Sequence, residues 1–208
     1  AYGKGDKPVF TNALDIEGSM NWSATEYPNV YKLDDQFRMP DHPVSLGYSD
    51  VGSIVINGGE MWGVKILPAD SENPYDPNAL TSDCGTVTNG KESFRIEGRT
   101  FLNPGCLKNN LEYFHDWTDN TLYLYSEYGN PGEIYDSIIV SVSGNGIGAG
   151  SNVTLDNLAV KYTGVHGVSS GDCENLIIQN CEFEWIGGCI QGGTTRYGNA
   201  IENWGDCN

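Results

Sequence analysis

A single spacing constrains this chain more than any other feature. The asparagines of Asn152-Val-Thr-Leu-Asp-Asn157-Leu return 23 residues later in Asn175-Leu-Ile-Ile-Gln-Asn180-Cys. At the same offset Val153 matches Leu176, Leu155 matches Ile178, Val160 matches Phe183, Tyr162 matches Trp185 and Gly164 matches Gly187. Gly171-Asp-Cys-Glu-Asn175 opens again, one residue shorter, as Gly205-Asp-Cys-Asn208. A period in the twenties with alternating apolar residues marks stacked repeats, each burying its apolar face with its neighbours. Gly and β-branched residues interrupt any 3.6-residue period, so no strong helix competes.

Twenty-three residues suffice for one coil of a parallel β-solenoid, three short strands joined by turns. Alternation then predicts Val153, Leu155, Val160, Ile178 and Phe183 pointing inward and Ala159, Lys161, Glu182 and Glu184 outward. Asn157 and Asn180 fall at equivalent turns, where asparagine tolerates a left-handed backbone and its amide can bond to the neighbouring copy. Trp185 is expected above Tyr162 as an aromatic ladder in the wall.

These blocks, with Tyr162-Thr-Gly-Val-His-Gly167, Gln179-Asn-Cys-Glu-Phe-Glu-Trp-Ile-Gly-Gly188 and Arg196-Tyr-Gly-Asn-Ala-Ile-Glu202, resemble the right-handed parallel β-helix proteins. That architecture serves many polysaccharide lyases and some glycoside hydrolases, and the likeness narrows to large bacterial extracellular β-helix proteins. The resemblance covers the last third and, more loosely, Asn120-Thr-Leu-Tyr-Leu-Tyr-Ser-Glu127. It implies an all-β fold, a right-handed parallel β-helix with an irregular N-terminal cap. Residues 1–146 are expected to form the cap and irregular early coils, and residues 147–208 the regular coils of the same domain. Because a third copy opens at Gly205, more coils are expected beyond Asn208, and the open last coil is expected to need a cap or pair end to end with another copy.

The charge balance, 11 basic against 28 acidic side chains, leaves −17. So acidic a surface repels phosphates, which argues against nucleic acid and anionic membranes as partners. It also disfavours a polyanionic glycan and suits a secreted or cell-surface protein. A start at Ala1 without an initiator Met fits either removal of a signal peptide or a longer chain cut there. No apolar run approaches the roughly 18 residues of a membrane span. The six cysteines show no zinc spacing; Cys84 and Cys106 flank a polar segment that a disulfide can close, and Cys173 and Cys207 fall at matching repeat positions as a reduced apolar stack.

Ahead of the repeats, Lys7–Thr11, Asn29–Leu33, Gly52–Asn57, Met61–Ile66 and Ser137–Val142 read as strands, and residues 67–110 as a long polar excursion. His42 reads as a solvent-exposed histidine on the Pro-flanked loop after Asp35. A hairpin is expected over 111–125, with Tyr113, His115 and Trp117 on one face and Tyr123 and Tyr125 on a face of the second strand.

Chemistry is sought where the second coil is broken. Gly192-Gly-Thr-Thr-Arg-Tyr-Gly198 interrupts the repeat, and insertions in repeat folds concentrate on the binding face. Matching Val168 with Ile201 sets Glu202 outward beside Ser169, near Arg196 and Tyr197 on the insertion and Trp204 on the next turn. A carboxylate, a guanidinium fork and flat aromatic faces suit a sugar site. Glu202 is the expected general acid or base, with Glu184 the nearest second carboxylate, although Glu184 also matches Lys161 as an ion pair. His166 and Trp185 complete the expected substrate-binding set with Arg196, Tyr197 and Trp204. No metal and no cofactor are expected, since the coils carry no Asp-x-Asp cluster. The expected activity is glycoside hydrolysis of a polysaccharide or oligosaccharide; the alternatives are a polysaccharide lyase and a non-catalytic glycan-binding or cell-surface solenoid.

Overall fold

The computed structural model describes residues 5–15, 22–34, 50–68, 86–88, 95–100, 103–116, 120–189 and 197–206. His42, Cys84, Trp117, Arg196 and Cys207 fall outside them.

The chain is almost entirely β. Its first part pairs mainly antiparallel. One sheet orders Ala13–Asp15, Ile138–Val142, Val51–Ile56 and Met61–Trp62. Another orders Ser23–Ala24, Val30–Asp34, Thr121–Tyr125, Glu112–Asp116 and Val64–Lys65, the last strand joining in parallel. Alternation along these strands decides what each face meets. Leu33, Ile54, Ile56, Tyr113, Leu122, Leu124, Ile138 and Val140 form one buried core shared by the two sheets. Val30, Ile66, Cys106, Leu107 and Phe114 build a second core, with Tyr123 and Tyr125 packed against it. Glu112–Asp116 and Thr121–Tyr125 form the expected hairpin pairing, and Phe114 stacks on its directly paired Tyr123 with ring centroids 6.5 Å apart. The 67–110 excursion is not structureless: Leu67–Pro68, Thr86–Thr88 and Arg95–Thr100 pair antiparallel, as their β-branched residues allow.

From Val142 onward the pairing becomes parallel and stacks into three ladders. The first runs Val9–Phe10, Ala159–Thr163, Glu182–Ile186; the second Thr154–Asp156, Ile177–Gln179; the third Ile147–Ala149, Val168–Gly171, Ile201–Trp204. In the first two the 23-residue offset is the physical register, with Val160 opposite Phe183 and Leu155 opposite Ile178. The third steps 21 residues from Ile147 to Val168 and then 33 from Ser170 to Asn203, where the insertion lengthens the repeat.

The corners are left-handed. Asn152, Asn157, Asn175 and Asn180 all have φ between 54° and 58°, a conformation asparagine accepts at low cost. Asn175 donates its amide to Asn152 Oδ1 at 2.9 Å. Asn180 donates to Asp156 Oδ1, also at 2.9 Å; that bond is the main reason the Asp156 carboxyl sits below its ordinary pKa. Val160 is buried, and Glu182 points out to an ion pair with Lys7 at 2.7 Å. Ala159, expected outward, is buried as well. Alternation separates two faces but does not say whether the rest of the chain covers the outer one. Among the described residues no helix is long and apolar enough to cross a membrane.

Candidate functional site

The insertion is closed by its backbone. Gly188 N–H donates to Tyr197 O at 2.8 Å and Tyr197 N–H donates to Cys189 O at 3.0 Å, so the two flanks of the insertion are held together at one point. Tyr197 is thereby carried to the buried His166, whose ring it meets edge-on, 5.9 Å between centroids and 87° between planes. Asn199 N–H donates to His166 Nδ1 at 3.2 Å, which leaves the ring's N–H at Nε2. The Asn199 side chain in turn donates to Glu202 Oε2.

Glu202 sits opposite Ser169, at the register read from the sequence, and is half-buried. Four residues therefore gather in one hydrogen-bonded and ring-packed group: His166, Tyr197, Asn199 and Glu202. Trp204 stands at the far end of the same strand, 60% exposed. Arg196 lies outside the described residues. Asn199 was not singled out in the sequence, though an amide three residues before the acid was the available hint.

Glu184 and Trp185 belong elsewhere, on the first ladder. Glu184 accepts from Lys161 at 2.8 Å, and that hydrogen bond is the largest cause of Lys161's raised pKa. The expected ion pair thus occupies Glu184 on a different ladder from Glu202, rather than leaving it as a second acid. Trp185 and its counterpart Tyr162 both have φ of 55°, and both are skipped in the ladder pairing, while the register on either side of them is unchanged. Trp185 finds Trp62 as a ring partner, at 6.2 Å and 43°.

A third group is buried where the two antiparallel sheets that share a core, the sandwich, meet the parallel ladders. Asp50, Lys65, His115 and Cys189 are all buried. Lys65 Nζ donates to Asp50 Oδ2 at 2.5 Å, to Val51 O at 2.6 Å and to Gly188 O at 3.3 Å. His115 Nδ1 lies 3.5 Å from Asp50 Oδ1, and Nε2 meets Asn120 Oδ1 at 3.2 Å. Burial by itself would raise the Asp50 pKa, but the Lys65 ammonium and then the His115 ring outweigh it and hold the carboxyl well below the usual range. Burial, and next the Asp50 carboxylate, push the Cys189 thiol far up, so it is no thiolate nucleophile. With side chains sealed from solvent this group is a joint, not a binding site. Its members lie in four separate segments, so no local pattern reveals it.

Cys106 is disulfide-bonded, while Cys173, Cys181 and Cys189 are in no disulfide. Among the described residues no three His, Cys, Asp or Glu side chains gather as a metal site. No protein-family model matches this chain, and neither a curated protein nor a solved structure gives a significant match.

Proposed function

We propose that the three parallel ladders are coils of a right-handed parallel β-helix and that the chain is an extracellular carbohydrate-active protein, a glycoside hydrolase acting on a polysaccharide or oligosaccharide. The observation that carries the reading is Glu202: a half-buried carboxylate on the outermost strand of a ladder, oriented by Asn199 and flanked through Asn199 by His166 and Tyr197. An oriented carboxylate can give a proton to a glycosidic oxygen or take one from water. Tyr197 and the exposed Trp204 supply aromatic surface of the kind sugars pack against. The −17 charge favours neutral glycans over uronate polymers, which places the lyase reading behind the hydrolase one.

A retaining or inverting hydrolase needs a second carboxylate within roughly 5–10 Å. Glu184 is committed to Lys161 on another ladder, and this favours a second reading, a non-catalytic glycan-binding or cell-surface solenoid. One substitution separates them. Glu202→Gln should cut release of reducing ends from a neutral-glycan panel by about 10²–10⁴-fold if Glu202 is the acid. Parental turnover in that variant excludes the assignment. Glycan binding by the parent with no reducing ends released supports the binder.

A further inference from the structure

We infer that Trp62, on the edge strand of an antiparallel sheet, and Trp185, on the first ladder where Glu202 is on the third, form a sugar-binding platform for a neutral glycan chain; its ligand class rests on the carbohydrate reading above. Trp62 ends a strand at the edge of the sandwich and is 59% exposed, so little of its apolar surface is repaid by burial. It is nonetheless paired, its ring 6.2 Å from Trp185 and inclined by 43°. Two indoles set at an angle suit successive rings of a twisting glycan better than one flat ligand.

The backbone under Trp185 is strained, in a conformation that its repeat counterpart Tyr162 shares. Trp185 holds a φ of 55°, which a bulky side chain adopts only where surrounding structure enforces it and which clusters at functional sites. Gly59, at φ 106°, faces the indole: a Cβ there would come within 3.2 Å of Trp185 Cζ2. The sandwich thus keeps a bare backbone against one ring and projects Trp62 beside it. Apolar faces of neutral pyranoses stack on indole, and the chain's net charge of −17 disfavours anionic sugars at any surface platform. Both tryptophans sit on strands, which fixes their spacing better than loops do.

The test is a titration of the whole chain with cellohexaose, xylohexaose and mannohexaose, and with a hexagalacturonide as the anionic control. Heat and tryptophan fluorescence are read together. The parent is expected to bind at least one neutral hexasaccharide with a fluorescence change. Trp62→Ala should weaken that affinity roughly tenfold or more with an unfolding temperature near the parent's, and Trp62→Phe should keep most of it. Trp185→Asn, a residue type that accepts the left-handed backbone, should lose it too. Tyr128→Ala, which removes a 72% exposed ring elsewhere, serves as the surface control and should bind as the parent does. A neutral glycan that is bound or cleaved by the parent but held equally well by Trp62→Ala overturns the platform and leaves the carbohydrate reading standing. Binding of the galacturonide alone overturns the neutral-ligand assignment. If the parent neither binds nor cleaves any probe, the carbohydrate reading fails and takes the platform with it.

Discussion

Lys65→Met is expected to destabilise the protein by about 3–5 kcal/mol, the cost of stranding one member of a buried ion pair. The size of the effect follows from how completely the ammonium is used. It answers the Asp50 carboxylate at 2.5 Å and also two backbone carbonyls, Val51 O from the sandwich and Gly188 O from the insertion stem. Methionine fills much of the space but satisfies none of these acceptors. The penalty should also depend on pH, with a sign that can be stated. In the parent, Asp50's pKa is depressed, so its contribution is present above the unfolded-state carboxylate pKa and is lost only as pH falls through the depressed folded value. In the variant the dominant remaining influence is burial, which raises the pKa and lets protonation remove the stranded charge. The stability gap between parent and variant should therefore narrow as the pH is lowered from neutral through the raised Asp50 pKa of the variant. Urea midpoints for both proteins across pH measure it. A gap under about 1 kcal/mol at neutral pH, as for an exposed pair, would mean that the joint is wet.

Gly188→Ala should be comparably severe for a different reason. Gly188 has φ of 102°, and a Cβ there would meet Gly52 O at 2.1 Å. The three nearest atoms are all Gly52 backbone, so relief requires the Gly188 segment and the sandwich to separate. Overpacking of this kind costs about 1–3 kcal/mol, and the left-handed conformation adds about 1–3 kcal/mol. Gly58 provides the control, having φ of 66° but open space around its missing side chain. Gly58→Ala should therefore show the conformational cost alone. Thermal unfolding of the two variants side by side decides the point; equal losses would mean that the contact between Gly52 and Gly188 is not close.

The parallel registers were legible because a repeat writes its pairing into the chain. The 23-residue offset placed Leu155 opposite Ile178 and Val160 opposite Phe183, and the match of Val168 with Ile201 put Glu202 beside Ser169. The ion pair of Lys161 with Glu184 came from the same offset. The sandwich was less legible. Its strands are two to six residues long and pair across distant segments, as when Ile138–Val142 lies between Ala13–Asp15 and Val51–Ile56. Alternation identifies such strands but carries no record of their partners. The Asp50, Lys65 and His115 joint was invisible for the same reason: each residue reads locally as an ordinary polar position, and only the fold removes it from water. For Trp185, the offset indicated an equivalence with Tyr162, and the shared φ of 55° bears this out; the ring partner Trp62 came from outside the repeat.

The opening strand of the first ladder has a consequence for synthesis. Val9–Phe10 takes its place beside Ala159–Val160, so on the ribosome this strand emerges long before the neighbour that will hold it. The sandwich between them is encoded in the interval and has its own core, so it can assemble while that N-terminal segment stays unzipped. Docking of Val9–Phe10 then becomes a late event of vectorial folding, a latch closed after the house is built, and pairing across so long an interval favours slow closure.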